Sequence, residues 1–235
     1  MEKRRLLFLG DIHGKFSIIE KCIGQYDLKN SDIIQLGDFG IGFNEKLEMK
    51  ILSDLDIYLS YKDIVIYVVR GNHDDPKFFN SNITNFTNIK FVADYSVLDI
   101  GGKNILFLGG AVSIDRKIRV KDVSWFEGEQ LPFDIDKINS IRGVDIVVSH
   151  TSYDYSGISL SSNIVNQFKE YDDKLIDDIK LEKENFLKTF DILLKNNDIK
   201  YHYFGHYHFS SINVDSNVKH RVLNIGELYE ENEYV

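Results

Sequence analysis

The chain has 235 residues, the size of one domain, and its 43% hydrophobic and 28% charged residues exclude a largely disordered protein. A formal net charge of −9 argues against a basic face that grips duplex nucleic acid, although it leaves small phosphate-bearing substrates open. The single cysteine, Cys22, excludes both a disulfide scaffold and a cysteine-based zinc site.

No stretch of the sequence suggests a targeting or membrane segment. The apolar run at residues 6–9 follows a basic start but is too short for the core of a signal peptide. No other apolar stretch approaches the ~20 residues that a membrane helix needs. We therefore expect a cytoplasmic protein without a membrane partner.

Five short apolar segments, each followed by a polar cluster, dominate the pattern along the chain. Such near-continuous apolar runs are typical of strands that are covered on both faces. In chain order the segments are residues 6–9, 33–36, 64–69, 144–148 and 201–204. Helical spacing between the early segments, at residues 16–26 and 45–61, indicates strand–helix–strand units.

The rest of the chain predicts a hairpin, a long helix and two closing strands. Residues 89–108 are expected to form short strands joined by a turn at Gly101-Gly102. Apolar spacing over residues 172–196 predicts an amphipathic helix that packs on the sheet. Residues 212–214 and 222–225 are predicted to be strands. Without a repeat or a linker, we interpret residues 1–235 as a single domain with a helical elaboration at about residues 161–197.

The polar clusters after the five segments carry residue types that bind metals or transfer protons. These residues are Asp11, His13, Asp38, Asn72, His73, His150, His206 and His208. Turn chemistry explains each motif taken alone, but the joint pattern favours a site beyond the carboxyl ends of the strands. If the D-x-H and H-x-H motifs are extended, each places its two side chains on one side. The other histidines, His202 and His220, are assigned to the structure or the surface.

In this order, the motifs resemble those of the calcineurin-like metallophosphoesterases. They are Gly10-Asp11-Ile12-His13-Gly14, Gly37-Asp38, Gly71-Asn72-His73-Asp74, Ser149-His150 and Gly205-His206-Tyr207-His208. The resemblance implies an α/β fold, a two-layer β-sandwich flanked by helices, with a dinuclear metal centre at one end. It assigns one ion to Asp11, His13, Asp38 and His208, and the other to Asp38, Asn72, His150 and His206. It also implies that His73 lies near the substrate phosphate.

The chemistry of these residue types agrees with the implied centre. Two divalent ions ~3.5–4 Å apart need a shared anion, which a carboxylate supplies, and a water between them becomes a nucleophile near neutral pH. A nitrogen and oxygen ligand set without thiolate suits Mn, Fe, Zn, Ni or Co. We expect two divalent transition-metal ions, with Mn²⁺ favoured. His73 is expected to donate a hydrogen bond or a proton to the phosphoryl group or the leaving oxygen.

The sequence departs from the protein Ser/Thr phosphatases after Gly37-Asp38, where it continues with Phe39-Gly40-Ile41-Gly42-Phe43 and lacks the Asp-Arg-Gly of those enzymes. That change removes the acid that orients the catalytic histidine, so Asp74 and Asp75 are candidates to orient His73. Residues 109–116, with the later Arg119, Trp125 and Glu129, are similar to a segment of uncharacterised bacterial and phage members.

Three arginines, Arg70, Arg116 and Arg119, are candidates to bind a substrate phosphate, because the guanidinium group matches phosphate geometry. Arg70 is equally well explained as a surface charge at the end of a strand. The other two lie in a locally basic segment, for which a solvated loop is the alternative explanation.

Together these features predict a metal-dependent hydrolase of small phosphomonoesters or phosphodiesters. The alternatives are a nuclease, a nucleotide or dinucleoside-polyphosphate hydrolase of the same fold, and a non-catalytic binding or scaffold protein. A scaffold member tends to lose a ligand, whereas every matching position here carries a competent residue, which favours catalysis.

Overall fold

A computed structural model describes residues 4–80, 83–153 and 163–231 of the chain. Within these ranges the strands are β1 (Arg5–Leu9), β2 (Ser31–Gln35), β3 (Ile64–Val68), β4 (Ile89–Phe91), β5 (Val97–Ile100), β6 (Lys103–Leu108), β7 (Ile146–Ser149), β8 (Tyr201–Phe204), β9 (Ser211–Asp215), β10 (Val218–Val222) and β11 (Leu228–Glu230). The helices are α1 (Ser17–Gln25), α2 (Glu45–Lys62), α3 (Ile135–Ser140), α4 (Asn163–Phe168) and α5 (Leu175–Asn196).

The strands form two sheets whose central strands are parallel. The first sheet has the order β11-β1-β2-β3-β4, and the second has the order β5-β6-β7-β8-β10-β9. Within the first sheet β1 to β4 pair in parallel, and within the second β6, β7 and β8 do so. The five predicted apolar segments become β1, β2, β3, β7 and β8. Their carboxyl ends, with the polar clusters that follow them, therefore share one edge of the fold.

Alternation along the strands divides the core into layers. In β1, Leu6 and Phe8 face the second sheet, and Phe8 stacks on Tyr203 with 3.7 Å between ring centroids. The alternate residues Leu7 and Leu9 pack with apolar side chains of α1 and α2. The outer face of the second sheet packs on α3 and α5 in the same way. The predicted two-layer β-sandwich flanked by helices is confirmed.

Several predicted elements begin or end differently in the structure. The predicted strand at residues 222–225 is wrong, because β10 ends at Val222 and the chain turns before β11. Leu223 is apolar because it packs between the sheets, and Gly226 turns with a φ of 65°. The predicted hairpin turn joins β5 to β6, with Gly101 and Gly102 both at positive φ.

Parts of two predictions lie outside the described residues. Residues 161–162 of the helical elaboration do so, as do residues 1–3 and 232–235 at the ends of the single predicted domain. The described part of the elaboration contains α4 and α5. Among the helices of the described ranges, none combines the length and the apolar character needed to cross a membrane.

Candidate metal centre

One cluster of metal-ligand types lies where β1, β2 and β8 end. Its members are Asp11, His13, Asp38 and His208, whose ligand atoms all lie within 4.8 Å of one another. The Nε2 atoms of His13 and His208 are 3.0 Å apart, and Nε2 of His208 is 3.2 Å from Oδ2 of Asp11. The sequence assigned these same four residues to one ion.

A second cluster adjoins the first and contains Asp38, His150 and His206. Nε2 of His150 lies 3.2 Å from Oδ1 of Asp38 and 3.0 Å from Oδ1 of Asn72. The structure thus brings Asn72 to this cluster as well, together with the three residues assigned to the second ion.

Asp38 belongs to both clusters and turns one oxygen toward each. Its Oδ1 faces His150, and its Oδ2 lies 3.7 Å from Nδ1 of His13. The carboxylate is buried, and the backbone N–H of His73 donates to Oδ1 at 2.8 Å. Asp38 is therefore fixed in an orientation that suits a bridge between two cations.

The donor set fits divalent transition-metal ions. Nδ1 of His150 faces the carbonyl oxygen of Leu36 at 2.8 Å, and since a carbonyl only accepts, this nitrogen carries a proton and Nε2 is the nitrogen that can bind a metal. Nε2 of His150 faces oxygens of Asn72 and Asp38, and once it has lost its proton it directs a lone pair at them. Acceptor atoms that converge in this way need a cation between them, and nitrogen with oxygen ligands suit Mn, Fe, Zn, Ni or Co.

The ionisation of the buried groups shows the same need for positive charge. Burial disfavours the charged form of Asp38, but attraction to His150 outweighs it and holds the pKa of Asp38 well below its usual range. Burial also opposes the charge on His150, yet Asp38 raises the pKa of His150 to about 9. For His206, burial and the repulsion of His150 lower the pKa to about 3, which keeps that imidazole neutral and able to ligate.

The expectation of extended D-x-H and H-x-H motifs is wrong. His13, His206 and His208 have φ angles of 47°, 68° and 56°, so the backbone leaves the strand conformation at each. Asp11 and His13 nevertheless share one cluster, whereas His206 and His208 divide between the two. Asp38 has a φ of 52° as well. Left-handed backbone at four ligand-type residues is the kind of strain that clusters at functional sites.

Two motif glycines allow the close approach of a carboxylate. A Cβ on Gly71 would lie 2.2 Å from Oδ1 of Asp38, and one on Gly205 would lie 2.1 Å from Oδ1 of Asp11. Neither glycine has a positive φ, so the missing side chain is needed for space and not for backbone freedom. This is the physical reason for glycine before Asn72 and before His206.

His73 lies at the edge of the first cluster beside Arg119. Nη2 of Arg119 is 2.7 Å from Nε2 of His73, and since a guanidinium only donates, this ring nitrogen accepts. The same Nη2 is 2.8 Å from Oδ2 of Asp115. Burial, aided by the charge of Arg119, lowers the pKa of His73 to about 4. A histidine and an arginine thus stand together beside Asp38.

The prediction that Asp74 or Asp75 orients His73 is wrong. The carboxylate of Asp74 turns back under the loop and accepts backbone N–H groups of residues 39, 40, 41 and 71. Asp75 accepts from the backbone of Lys77 and pairs with its ammonium. The acids that face His73 are Asp38, at 4.0 Å, and Asp115 through Arg119.

A comparison with protein families gives the context of this centre. A family described as calcineurin-like phosphoesterase matches residues 4–210. The chain belongs to the calcineurin-like phosphoesterase family. Membership indicates hydrolysis of phosphate esters as the general reaction, and the matched range contains every candidate ligand described above.

Solved structures with similar folds include two that cover nearly all of this calcineurin-like phosphoesterase. One is the phosphopantetheinyl hydrolase PptH from Mycobacterium tuberculosis, with 12% identity, a TM-score of 0.45, and coverage of 98% of this chain and 97% of that chain. The other is GAP50, the anchor in the inner membrane complex of Plasmodium, with 16% identity, a TM-score of 0.46, and coverage of 95% and 72%. No curated protein matches the sequence.

Arg70 of this calcineurin-like phosphoesterase is neither a surface charge nor free to bind phosphate. Its side chain is 2% exposed. The guanidinium group donates two hydrogen bonds to Asp94 and three to the carbonyl oxygens of residues 128, 129 and 130. These bonds use all five of the N–H groups that an arginine has. Arg70 therefore fastens the segment around residues 128–130 to the end of β3.

Arg116 is also committed to the fold, whereas Arg119 reaches the site. Arg116 donates to Asp172 at 2.6 Å and to Asp178 at 2.5 Å, which ties its loop to the start of α5. Only Arg119, of the three arginines that the sequence singled out, lies against His73. The solvated-loop explanation is wrong for both, because their side chains are largely buried in these contacts.

Sequence reasoning missed the groups that orient Asn72. Nδ2 of Asn72 donates to Oγ of Ser113 at 2.9 Å, and the backbone N–H of Ser113 donates to the buried carboxylate of Glu129 at 3.0 Å. Oδ1 of Asn72 is thereby turned toward His150. The only sequence signal was the resemblance around residues 109–129.

His202 and His220 belong to the structure and not to the surface. Both rings are buried, with 3.0 Å between their Nδ1 atoms. His202 also contacts the hydroxyl of Ser149 at 2.7 Å, and His220 contacts that of Tyr153 at 3.2 Å. Burial lowers the pKa of both histidines, so they act as neutral polar groups inside the second sheet's outer layer.

Proposed function

We propose that this chain is a phosphoesterase that uses two divalent transition-metal ions, with Mn²⁺ favoured, to hydrolyse small phosphomonoesters or phosphodiesters. One ion is held by Asp11, His13, Asp38 and His208, and the other by Asp38, Asn72, His150 and His206. The observation that carries this proposal is the orientation of Asp38, whose two oxygens face different clusters of ligand atoms. Family membership supports the general reaction.

The side chains around the centre divide the work of hydrolysis. Divalent ions held by these residues would lower the pKa of a water molecule and neutralise charge on the phosphoryl oxygens. Asp38 would keep the two ions together, and Ser113 keeps the amide oxygen of Asn72 turned inward. Arg119 is placed to donate to a phosphoryl oxygen, and its neighbour His73 to donate a hydrogen bond or a proton at the leaving oxygen.

A hydrolysis screen tests the proposal against its alternatives. The purified chain is assayed with each metal on p-nitrophenyl phosphate, its bis-ester, cyclic nucleotides, dinucleoside polyphosphates and DNA. We expect metal-dependent cleavage of a small mono- or diester. Preferential cleavage of DNA would favour a nuclease, and no cleavage of any ester by the metal-loaded chain would favour a binding or scaffold protein.

Reconstitution is expected to load two metal ions per chain. The two clusters offer enough ligands for two ions with Asp38 between them. Elemental analysis after mild reconstitution with Mn²⁺ measures the ratio. A single ion at saturation, with hydrolysis intact, would contradict the dinuclear proposal.

Gly205→Ala is expected to weaken metal binding by ~10–100-fold, the range seen when the support of a ligand is lost. The new Cβ would lie 2.1 Å from Oδ1 of Asp11 and 2.9 Å from the carbonyl oxygen of Leu36, so the Asp11 carboxylate has to move. Metal titration followed by calorimetry measures the change.

Gly24→Ala provides the matched control for this substitution. Gly24 lies in α1, and a Cβ there would meet nothing within 4 Å. Alanine in a helix is expected to stabilise by ~0.5–1 kcal/mol and to leave metal affinity unchanged. Equal metal affinity in the Gly205→Ala and Gly24→Ala proteins would show that metal binding does not depend on the close approach of Gly205 to Asp11.

A further inference from the structure

A cavity of about 340 Å³ opens beside the candidate metal centre. We call it the side pocket. His13 and His73 stand in its wall on the side of the centre, and Phe16, Phe43, Leu47 and Ile51 form most of the remaining wall. A group that occupies the side pocket is therefore next to the two histidines that border the centre.

The side pocket exposes apolar surface next to a polar centre. Phe43 is 41% exposed, Leu47 52% and Ile51 39%, although all three are large apolar residues. They belong to the loop after β2 and to the first turns of α2. Scattered apolar side chains are normal at a protein surface, but a concave group of them beside charged ligands is typical of a ligand pocket.

The polar groups at the side pocket are already used by the protein itself. The carboxylate of Glu48 accepts the backbone N–H groups of Gly42, Phe43 and Asn44, at 2.7–3.0 Å. Oδ1 of Asn44 accepts from the backbone of Leu47. A strongly polar ligand would have to compete with these bonds, whereas an apolar one leaves them intact.

The same bonds make the wall of the side pocket rigid. The carboxylate of Asp74 accepts the backbone N–H groups of residues 40 and 41, and that of Glu48 accepts those of residues 42–44. The loop at residues 40–44 is therefore fixed at both ends. The ring of Phe43 also meets the edge of Phe126, with 5.5 Å between centroids and 68° between planes. Because this apolar wall is already ordered, binding of a flat ring does not carry an additional conformational-entropy cost for ordering it.

We propose that the side pocket binds the organic group of the substrate ester and selects esters of aromatic alcohols. This proposal rests on the proposed function, because it places the phosphoryl group at the metal centre. The volume lies near the lower end of the ~300–1,000 Å³ typical of small-molecule sites, which suits one ring system. The exposed face of Phe43 offers a partner for stacked or edge-on aromatic contact.

Two non-hydrolysable phosphonates test the proposal by calorimetry on the metal-reconstituted full chain. Benzylphosphonate and methylphosphonate carry the same anionic group and differ in the ring. We expect benzylphosphonate to bind ~10–100-fold more tightly, from burial of its apolar surface. Ile51→Thr is expected to reduce that preference at least about fourfold, since it replaces the ethyl branch of the side chain by a hydroxyl in the pocket wall.

Ile57→Thr is the matched control, because Ile57 is an exposed isoleucine of the same helix that does not line the side pocket. Its preference is expected to equal that of the wild type. A second variant, Phe43→Ala, is expected to lower the preference further. Equal affinity for the two phosphonates, or a preference that survives both pocket substitutions, would overturn the proposal while ester hydrolysis persists. Absence of hydrolysis on every ester would instead overturn the proposed function.

Discussion

Asp38→Asn is expected to lower turnover by ~10²–10⁴-fold and to reduce metal binding at both clusters. The substitution keeps the shape of the side chain but removes its charge, and loss of one partner from a buried charge cluster typically costs ~3–5 kcal/mol. Asp38 is buried, with one oxygen 3.2 Å from His150 and the other 3.7 Å from His13. No other side chain in the two described clusters belongs to both.

The effect of Asp38→Asn is expected to exceed that of His13→Ala or Asn72→Ala, since each of these removes a ligand from one cluster only. Elemental analysis and steady-state rates at saturating metal measure the ranking. Asp32→Asn is the matched control: Asp32 lies on β2, the strand that precedes Asp38, is buried, and pairs with Arg4 at 2.9 Å away from the centre. Near-normal metal content and turnover in the Asp38→Asn protein would refute the bridge.

The layered fold was predictable because its central strands are buried on both faces. In β1, Leu6 and Phe8 pack between the sheets while Leu7 and Leu9 pack under helices, so no polar residue interrupts the run. Parallel pairing then brings sequence-distant strand ends to one edge. That is why Asp11 and His150, which are 139 positions apart, could be assigned to one site from the order and spacing of the strands and motifs.

Interactions between distant segments could not be predicted in the same way. The partners of Arg70 are Asp94 and three carbonyl groups of residues 128–130, and nothing local in the sequence marks them. The local sequence around Arg70 would be the same if its side chain were exposed, bound phosphate or held a loop in place, so these roles could not be distinguished. The role of Ser113 beneath Asn72 was hidden for the same reason.

Backbone conformation at the centre was also beyond a pattern-based prediction. Period-two alternation applies only while the chain remains a strand, and His206 and His208 follow β8 in left-handed conformations. The two side chains consequently point into different clusters. Non-glycine residues at positive φ are uncommon, and tertiary contacts hold them, such as the bond from the N–H of His206 to the carboxylate of Asp11.

The second large effect is expected for His73→Asn, which should leave the metal content and the fold unchanged while lowering turnover by ~10²–10⁴-fold. His73 contributes to neither described ligand cluster, although its backbone N–H holds Asp38. That backbone bond survives any substitution of the side chain. Elemental analysis, circular dichroism and steady-state rates on the reconstituted protein measure the three expectations, and His73→Ala is expected to behave alike.

The proton-donating role of His73 depends on the substrate. In the chain alone, burial and the nearby Arg119 keep the pKa of His73 at about 4, so the ring is neutral near pH 7. A phosphate anion bound beside the two side chains would pair with Arg119, and its negative charge would favour the protonated form of His73. The arginine and the histidine then act as neighbouring donors on one phosphoryl group.

Substrates with good and poor leaving groups distinguish two roles for His73, proton donation and charge stabilisation. A poor leaving group such as an alkoxide needs a proton as its bond to phosphorus breaks, whereas p-nitrophenolate leaves with little help. We therefore expect His73→Asn to lower turnover much more on an alkyl phosphate than on p-nitrophenyl phosphate, measured with the same metal at the same pH. Similar losses on both substrates would assign His73 to charge stabilisation alone. A protein that loses a metal ion on substitution, or that keeps full activity on every substrate, would show that His73 is not the residue at the leaving oxygen.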